Sequence, residues 1–118
     1  MNIKWKDESG CLVVSVLAEK LDFTNCPEIK TEILNLIAGQ SARCVILDLS
    51  GVSFMDSMAI GAMVAINKSI AGQFGKMALC CLHPYVQKIL SVVTVNTIFT
   101  VFETKEAALK ALKEAVSG

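Results

Sequence analysis

Cys44-Val45-Ile46-Leu47-Asp48-Leu49-Ser50-Gly51-Val52-Ser53-Phe54-Met55-Asp56-Ser57-Met58-Ala59-Ile60-Gly61-Ala62-Met63-Val64 is an apolar, β-branched run that ends in a polar turn and restarts as a second apolar run. The first run reads as a strand buried on both faces. Asp56-Ser57, just ahead of the second, is a helix-start signal. A serine hydroxyl is therefore expected at a helix N-terminus, beside a strand end.

Outward from that unit the chain alternates in the same way. Residues 3–7 and 11–17 are two strand candidates around Glu8-Ser9-Gly10, where Ser-Gly marks a hairpin turn. The second strand is apolar nearly throughout, which places it inside the sheet. Asp22-Phe23-Thr24-Asn25-Cys26-Pro27 offers Asn25 or Thr24 as N-cap and Pro27 in the first turn of a helix reaching about residue 38. Ile29, Ile33, Leu34 and Ile37 share one of its faces, and Gly39 is expected to close it. Beyond the central helix, expected to end at Gly72, residues 76–82 read as a strand. His83-Pro84 then opens a short helix through Val86, Ile89, Leu90 and Val93. Residues 97–103 read as a last strand, and Thr104 caps a C-terminal helix with Glu106 near its start and Ala107, Leu109, Ala111, Leu112 and Ala115 along it.

The expected order is β β α β α β α β α, a single domain over residues 1–118. Strands alternating with helices imply an α/β fold with a mixed, mainly parallel sheet of about four or five strands flanked by about four helices.

Charge and composition exclude several functions. Eleven basic and eleven acidic residues leave no basic excess to neutralise nucleic-acid phosphates or an anionic membrane. The longest uncharged stretches, 57–67 and 89–102, are shorter than the roughly 20 apolar residues a membrane span requires. The first residues lack a leader's apolar core and cleavage site, so a cytoplasmic protein is expected. Five cysteines without framework spacing point to free thiols in a reducing compartment, with Cys80 and Cys81 as core thiols on opposite faces of their strand. His83 is the only histidine and has no partner for a metal pair or a nucleophile relay. No phosphate-cradling glycine motif and no Cys-x-x-Cys occurs. Asp56 invites a phospho-accepting receiver reading, but Asp7, Glu8 and Asp22 do not build the carboxylate pocket that a Mg²⁺ would need. No enzyme, cofactor or metal is expected.

What remains is the pair Asp56-Ser57. One side chain suffices for a cap; if Asp56 caps, Ser57 lies free in the first turn, where the helix dipole favours an added phosphate. Such a phosphate brings roughly −1.5 to −2 charges and alters the surface rather than the fold. The helix behind carries a bulky stripe for the sheet, Ile60, Met63, Val64, Ile66 and Ile70. Beside it runs a stripe of small residues plus one methionine: Met58, Gly61, Ala62, Ala65 and Ser69. The small stripe either admits a partner closely or is covered by the helix after Pro84 or the C-terminal helix.

Four segments carry a family likeness: Leu47-Asp48-Leu49-Ser50-Gly51-Val52-Ser53-Phe54-Met55-Asp56-Ser57; Gly75-Lys76-Met77 before an apolar strand; His83-Pro84-Tyr85-Val86-Gln87-Lys88-Ile89-Leu90; and Glu106-Ala107-Ala108-Leu109. Together they resemble the STAS family, specifically its bacterial anti-sigma factor antagonists, over nearly the whole chain. The resemblance implies a protein that binds an anti-sigma factor serine kinase and so frees a sigma factor. Phosphorylation of the serine matching Ser57 ends that binding, and a serine phosphatase restores it. It further implies that Asp22 and Asp56 bracket Ser57; Met58, Gly61, Ala62 and Ala65 of the small stripe complete the expected partner surface, on a chain expected to be a monomer or weak dimer when free. Three positions depart from the family pattern. Met58 and Ala59 stand where Ser or Thr and Gly usually follow Asp-Ser, and Glu19 replaces a glycine ahead of Leu21-Asp22. Two other readings stay open: a constitutive scaffold module of a stressosome-like complex, and small-ligand binding at the Ser57 helix end.

Overall fold

Two residues at positive φ, Ser9 and Gly10, close a tight hairpin between β1 (Ile3–Glu8) and β2 (Cys11–Val16), a backbone that suits the twist of paired antiparallel strands. In the computed structural model, which describes residues 2–93 and 99–117, β2 also pairs parallel with β4 (Cys44–Asp48). β4 pairs parallel with β6 (Lys76–Cys80), and β6 with β7 (Thr100–Phe102). The five-stranded sheet has the order β1-β2-β4-β6-β7, mixed and mainly parallel as expected. The expected start of the last strand at Thr97 lies outside the described residues, as do the side chains of Val93 and Ala115.

Alternation along the strands assigns the two faces. Leu12, Val14, Val45, Leu47, Met77 and Leu79 bury against α1 (Cys26–Gln40), α2 (Ser57–Ala71) and α3 (Pro84–Val93). Cys11, Val13, Cys44, Ile46, Ala78 and Cys80 bury against Ala108 and Leu112 of α4 (Lys105–Ser117). Helices on both sides of the sheet explain the unbroken apolar strands. The residue just before β6 is glycine because a Cβ at Gly75 would stand 2.8 Å from both the Arg43 carbonyl oxygen and Ile70 Cγ2.

Three expectations are corrected. Two strands of two residues, β3 (Lys20–Leu21) and β5 (Phe54–Met55), pair parallel as a separate small sheet, so the chain order is β β β α β β α β α β α. They are too short to show any alternation. Gly39 does not close α1. It lies inside the helix, and Ser41, left-handed at φ 50°, is the C-cap, its N–H donating to the Ala38 carbonyl. Cys11 and Cys44 are not free thiols. Parallel pairing of β2 with β4 brings their Cα atoms to 4.6 Å across 33 residues of chain, and a disulfide joins them. Cysteine usage therefore does not place the chain in a reducing compartment. Among the described residues, no helix is long and apolar enough to cross a membrane.

Candidate functional site

The β3–β5 ladder positions the site. Lys20 pairs with Phe54 and Leu21 with Met55, so the two aspartates that follow, Asp22 and Asp56, leave neighbouring strand ends together. Ser53 N–H donates to the Glu19 carbonyl at 2.8 Å and Asp56 N–H to the Leu21 carbonyl at 3.2 Å, extending the pairing at both ends. The apolar halves of the ladder, Leu21 and Met55, are buried in the main core, which anchors two exposed loops to a rigid base.

Asp56 is the N-cap of α2 and accepts two backbone hydrogen bonds. Its Oδ1 takes the Ala59 N–H at 2.9 Å, and its Oδ2 takes the Phe23 N–H at 2.9 Å. One carboxylate thus satisfies a free donor of the helix and ties the loop before α1 to the start of α2. Ser57, the next residue, is exposed and its hydroxyl has no hydrogen-bond partner among the described residues. The division expected from the sequence is present: Asp56 caps and Ser57 is open.

Asp22 is organised differently. Its Oδ1 accepts from both the N–H and the hydroxyl of Thr24, and these bonds hold its carboxyl below the ordinary carboxylate range. Asn25, the N-cap of α1, makes no cap bond. Its side chain braces the loop instead, accepting from Asp22 N–H and donating to the Lys20 carbonyl. Cys26 lies buried under this rim. Burial pushes its thiol up first, and the negative charges of Asp56 and Asp22 push it further, so both carboxylates act on one point.

Met58 and Gly61 are exposed, while Ala62 and Ala65 are half-buried. A Cβ added at Gly61 would meet nothing within 4 Å, so packing inside the chain does not require glycine there. Neither alternative cover for the small stripe applies to Met58 and Gly61, and α4 packs on the opposite sheet face. Two features of the rim escaped the sequence reading. Phe23 is 64% exposed between Asp22 and Thr24, and Tyr85 stacks on Phe54 of β5 with ring centroids 6.2 Å apart. An aromatic residue inside a polar turn was the available signal for Phe23. For Tyr85 no local signal existed, because its partner lies on a strand too short to read. His83 stands just before α3, its Nδ1 accepting from Tyr85 N–H at 3.1 Å.

With this geometry in place, the comparisons with known proteins are specific. Residues 2–108 match the model of the STAS domain. The anti-sigma F factor antagonist of Paenibacillus polymyxa is 26% identical over 92 residues, 78% of each chain. An anti-sigma-factor antagonist (STAS) domain protein from Planctomyces limnophilus superposes with a TM-score of 0.82 at 31% identity, over 93% of this chain and 96% of that one. The Bacillus cell fate determinant SpoIIAA, solved in its phosphorylated form, shares the fold with a TM-score of 0.67 at 18% identity, over 92% of this chain and 97% of that one.

Proposed function

The chain belongs to the STAS domain family, and from that premise we propose that it is an anti-sigma factor antagonist switched by phosphorylation of Ser57. It binds an anti-sigma factor that is also a serine kinase, frees a sigma factor, and has no catalysis of its own. The observation that carries this reading is the double use of Asp56. Because its two carboxylate oxygens take Ala59 N–H and Phe23 N–H, Ser57 is left exposed in the first turn of α2 without a structural duty. A phosphate on it would face the positive end of the helix dipole and leave the cap intact. Two proteins similar to this chain carry the name anti-sigma factor antagonist, and a third protein of the same fold was captured phosphorylated.

The partner surface in this reading is Asp22, Asp56, Ser57, Met58, Gly61, Ala62 and Ala65, rimmed by Phe23. A hydroxyl set between two carboxylates and a small apolar stripe suits a closely packed partner, and a phosphate at its centre opposes binding because its added charge must be desolvated and is repelled by acidic groups the partner brings near it. To weaken binding a hundredfold the phosphate must contribute about 2.7 kcal/mol of unfavourable coupling. Met58 and Ala59, in place of the family's usual residues, put a long apolar side chain where a second hydroxyl commonly stands, and so bear on which kinase is recognised.

The test is phosphate mapping by mass spectrometry after incubation with the cognate kinase and ATP. A single phosphate on Ser57, absent from Ser57→Ala, is the expected result; modification elsewhere sinks the proposal. Ser57→Asp should weaken kinase binding while leaving the unfolding midpoint nearly unchanged. Gly61→Ala should weaken binding too, yet stabilise the chain by about 0.5–1 kcal/mol, since a helix-interior glycine gains from a methyl that meets open space. A large oligomer unaffected by kinase and ATP would instead favour the scaffold reading.

A further inference from the structure

Asp48 ends β4 and Cys80 ends β6, and the two are register partners in the parallel ladder. Their side chains therefore leave the sheet on the same face, the one α4 covers. In an uninterrupted strand Cys81 would point away from both. Its backbone turns left-handed instead, at φ 62°, a conformation rare for a residue with a side chain, and its N–H donates to the Phe102 carbonyl of β7. This turn corrects the expectation that the two thiols lie on opposite faces. A carboxylate oxygen of Asp48, Cys80 Sγ and Cys81 Sγ all lie within 4.8 Å of one another. None of the three takes part in the Ser57 site.

A cavity of about 420 Å³, lined in part by Trp5, Glu8, Ser15 and Lys105, reaches Asp48, the member of the cluster that lines it. Ser15 Oγ stands 3.5 Å from Asp48 Oδ2, on the cavity side. Lys105 pairs with Glu8 at 3.1 Å, and burial, with Cys81 next, pushes the Cys80 thiol up, so a cation that binds there must displace the thiol proton.

We propose that Asp48, Cys80 and Cys81 form a binding site for a thiophilic divalent cation of the zinc type. Two sulfurs and one carboxylate oxygen are a donor set that suits zinc or cadmium and not magnesium or calcium, which take oxygen. Mutual distances within 4.8 Å are close to the spacing of atoms that share a metal through metal–sulfur bonds near 2.3 Å and a metal–oxygen bond near 2.1 Å. The cation binds as both thiols release their protons to solvent, leaving two thiolates, one carboxylate and a fourth position that faces the cavity, open to water or to Ser15. Site and Ser57 switch lie on opposite faces of the sheet, so either proposal stands if the other fails.

The test uses the full chain with its Cys11–Cys44 disulfide intact, titrated with Zn²⁺ against a chromophoric chelator and with Cd²⁺ for its thiolate charge-transfer absorption. One cation per chain is expected, with the cadmium–thiolate band. Asp48→Asn and Cys81→Ser each change a half-buried position and spare the fully buried Cys80. Each should weaken Zn²⁺ binding at least about tenfold, while Cys26→Ala leaves it unchanged. Circular dichroism of each variant establishes that it folds, and Zn²⁺ should raise the unfolding midpoint of the unaltered chain but not of Asp48→Asn. Equal affinity in Asp48→Asn and Cys81→Ser, absence of the thiolate band, or loss of binding in Cys26→Ala overturns the proposal.

Discussion

The N-termini of α1 and α2 start from nearly the same position and end in opposite states. Each 15-residue helix follows one strand of the β3–β5 ladder, and each strand is followed at once by an aspartate. At α2 the aspartate is itself the N-cap, so the hydroxyl residue after it is free. At α1 the aspartate stands four residues ahead of the helix. Its carboxylate is taken up by the Thr24 hydroxyl and N–H, and the N-cap Asn25 is taken up by the loop. The difference teaches that a hydroxyl near a helix start is available for modification only when local structure does not use it: Asp56 caps α2 and leaves the Ser57 hydroxyl open, whereas the Thr24 hydroxyl is spent on Asp22, although both residues are exposed.

The comparison breaks most severely if the ladder beneath both ends is cut. Met55 is 2% exposed and packs in the main core. Met55→Ala should cost about 2–5 kcal/mol, the range for truncating a buried long side chain. Chemical denaturation gives the stability, and hydrogen exchange at Phe23 N–H reports whether the two loops part. If Phe23 stays protected while the protein is destabilised, the ladder is not what holds the ends together.

Asp56 is the next lever, because it serves both ends. Asp56→Ala removes the α2 cap and the Phe23 tether and should cost about 2 kcal/mol, a cap of about 1 plus a charge-assisted hydrogen bond of similar size. Asp56→Asn keeps a single acceptor oxygen and should fall between the two, since its NH₂ cannot accept from Phe23 N–H while its oxygen caps. Equal unfolding midpoints for Asn and Ala would mean that only one of the two bonds matters.

Part of this arrangement was legible in the sequence. The apolar run 44–49, the Asp56-Ser57 pair and the restart at Met58 state a strand, a cap and a helix, and α2 begins and ends where that pattern puts it. The nearly unbroken apolar runs of Cys11 to Val16 and Cys44 to Leu47 likewise foretold two-sided burial. The nearness of Asp22 to Asp56 was not legible from local pattern and was implied only by the family resemblance. It depends on a ladder of two residue pairs, below the length at which period-2 alternation can register. The Cys11–Cys44 pair is hidden for a related reason: strand order and register decide which residues 33 apart become neighbours, and spacing along the chain does not. Gly39 misled because glycine is the usual helix terminator, whereas here Ser41 takes the left-handed position.

A smaller effect separates bracing from capping at α1. Asn25→Ala removes two loop hydrogen bonds but no helix cap bond. The expected cost is about 1 kcal/mol, felt in exchange of Lys20, Leu21 and Asp22 amides more than in α1 itself. A larger loss confined to the first turn of α1 would show that Asn25 caps after all.

The smallest expected effect is a titration. The Thr24 hydroxyl is the largest cause holding the Asp22 carboxyl below 3.8, with the Thr24 N–H next. Thr24→Val keeps the shape and the N–H and removes only the hydroxyl, so the carboxyl should move up part of the way toward 3.8. A folded pKa below the unfolded one means the charged carboxylate stabilises the loop above the unfolded value, and that contribution disappears as pH falls through the folded value. The variant should therefore lose the loop's ordering at a higher pH than the unaltered chain, which NMR titration of the Asp22 side chain and the Thr24 amide can follow. Because, among the described residues, the Asp22 carboxylate bonds only to Thr24 in its own loop, the effect belongs to the loop and not to global stability, and the Asp56–Ala59 cap should be insensitive to it. An equal response at Ala59 N–H would show the two helix starts acting as one unit rather than as two ends that spend their carboxylates differently.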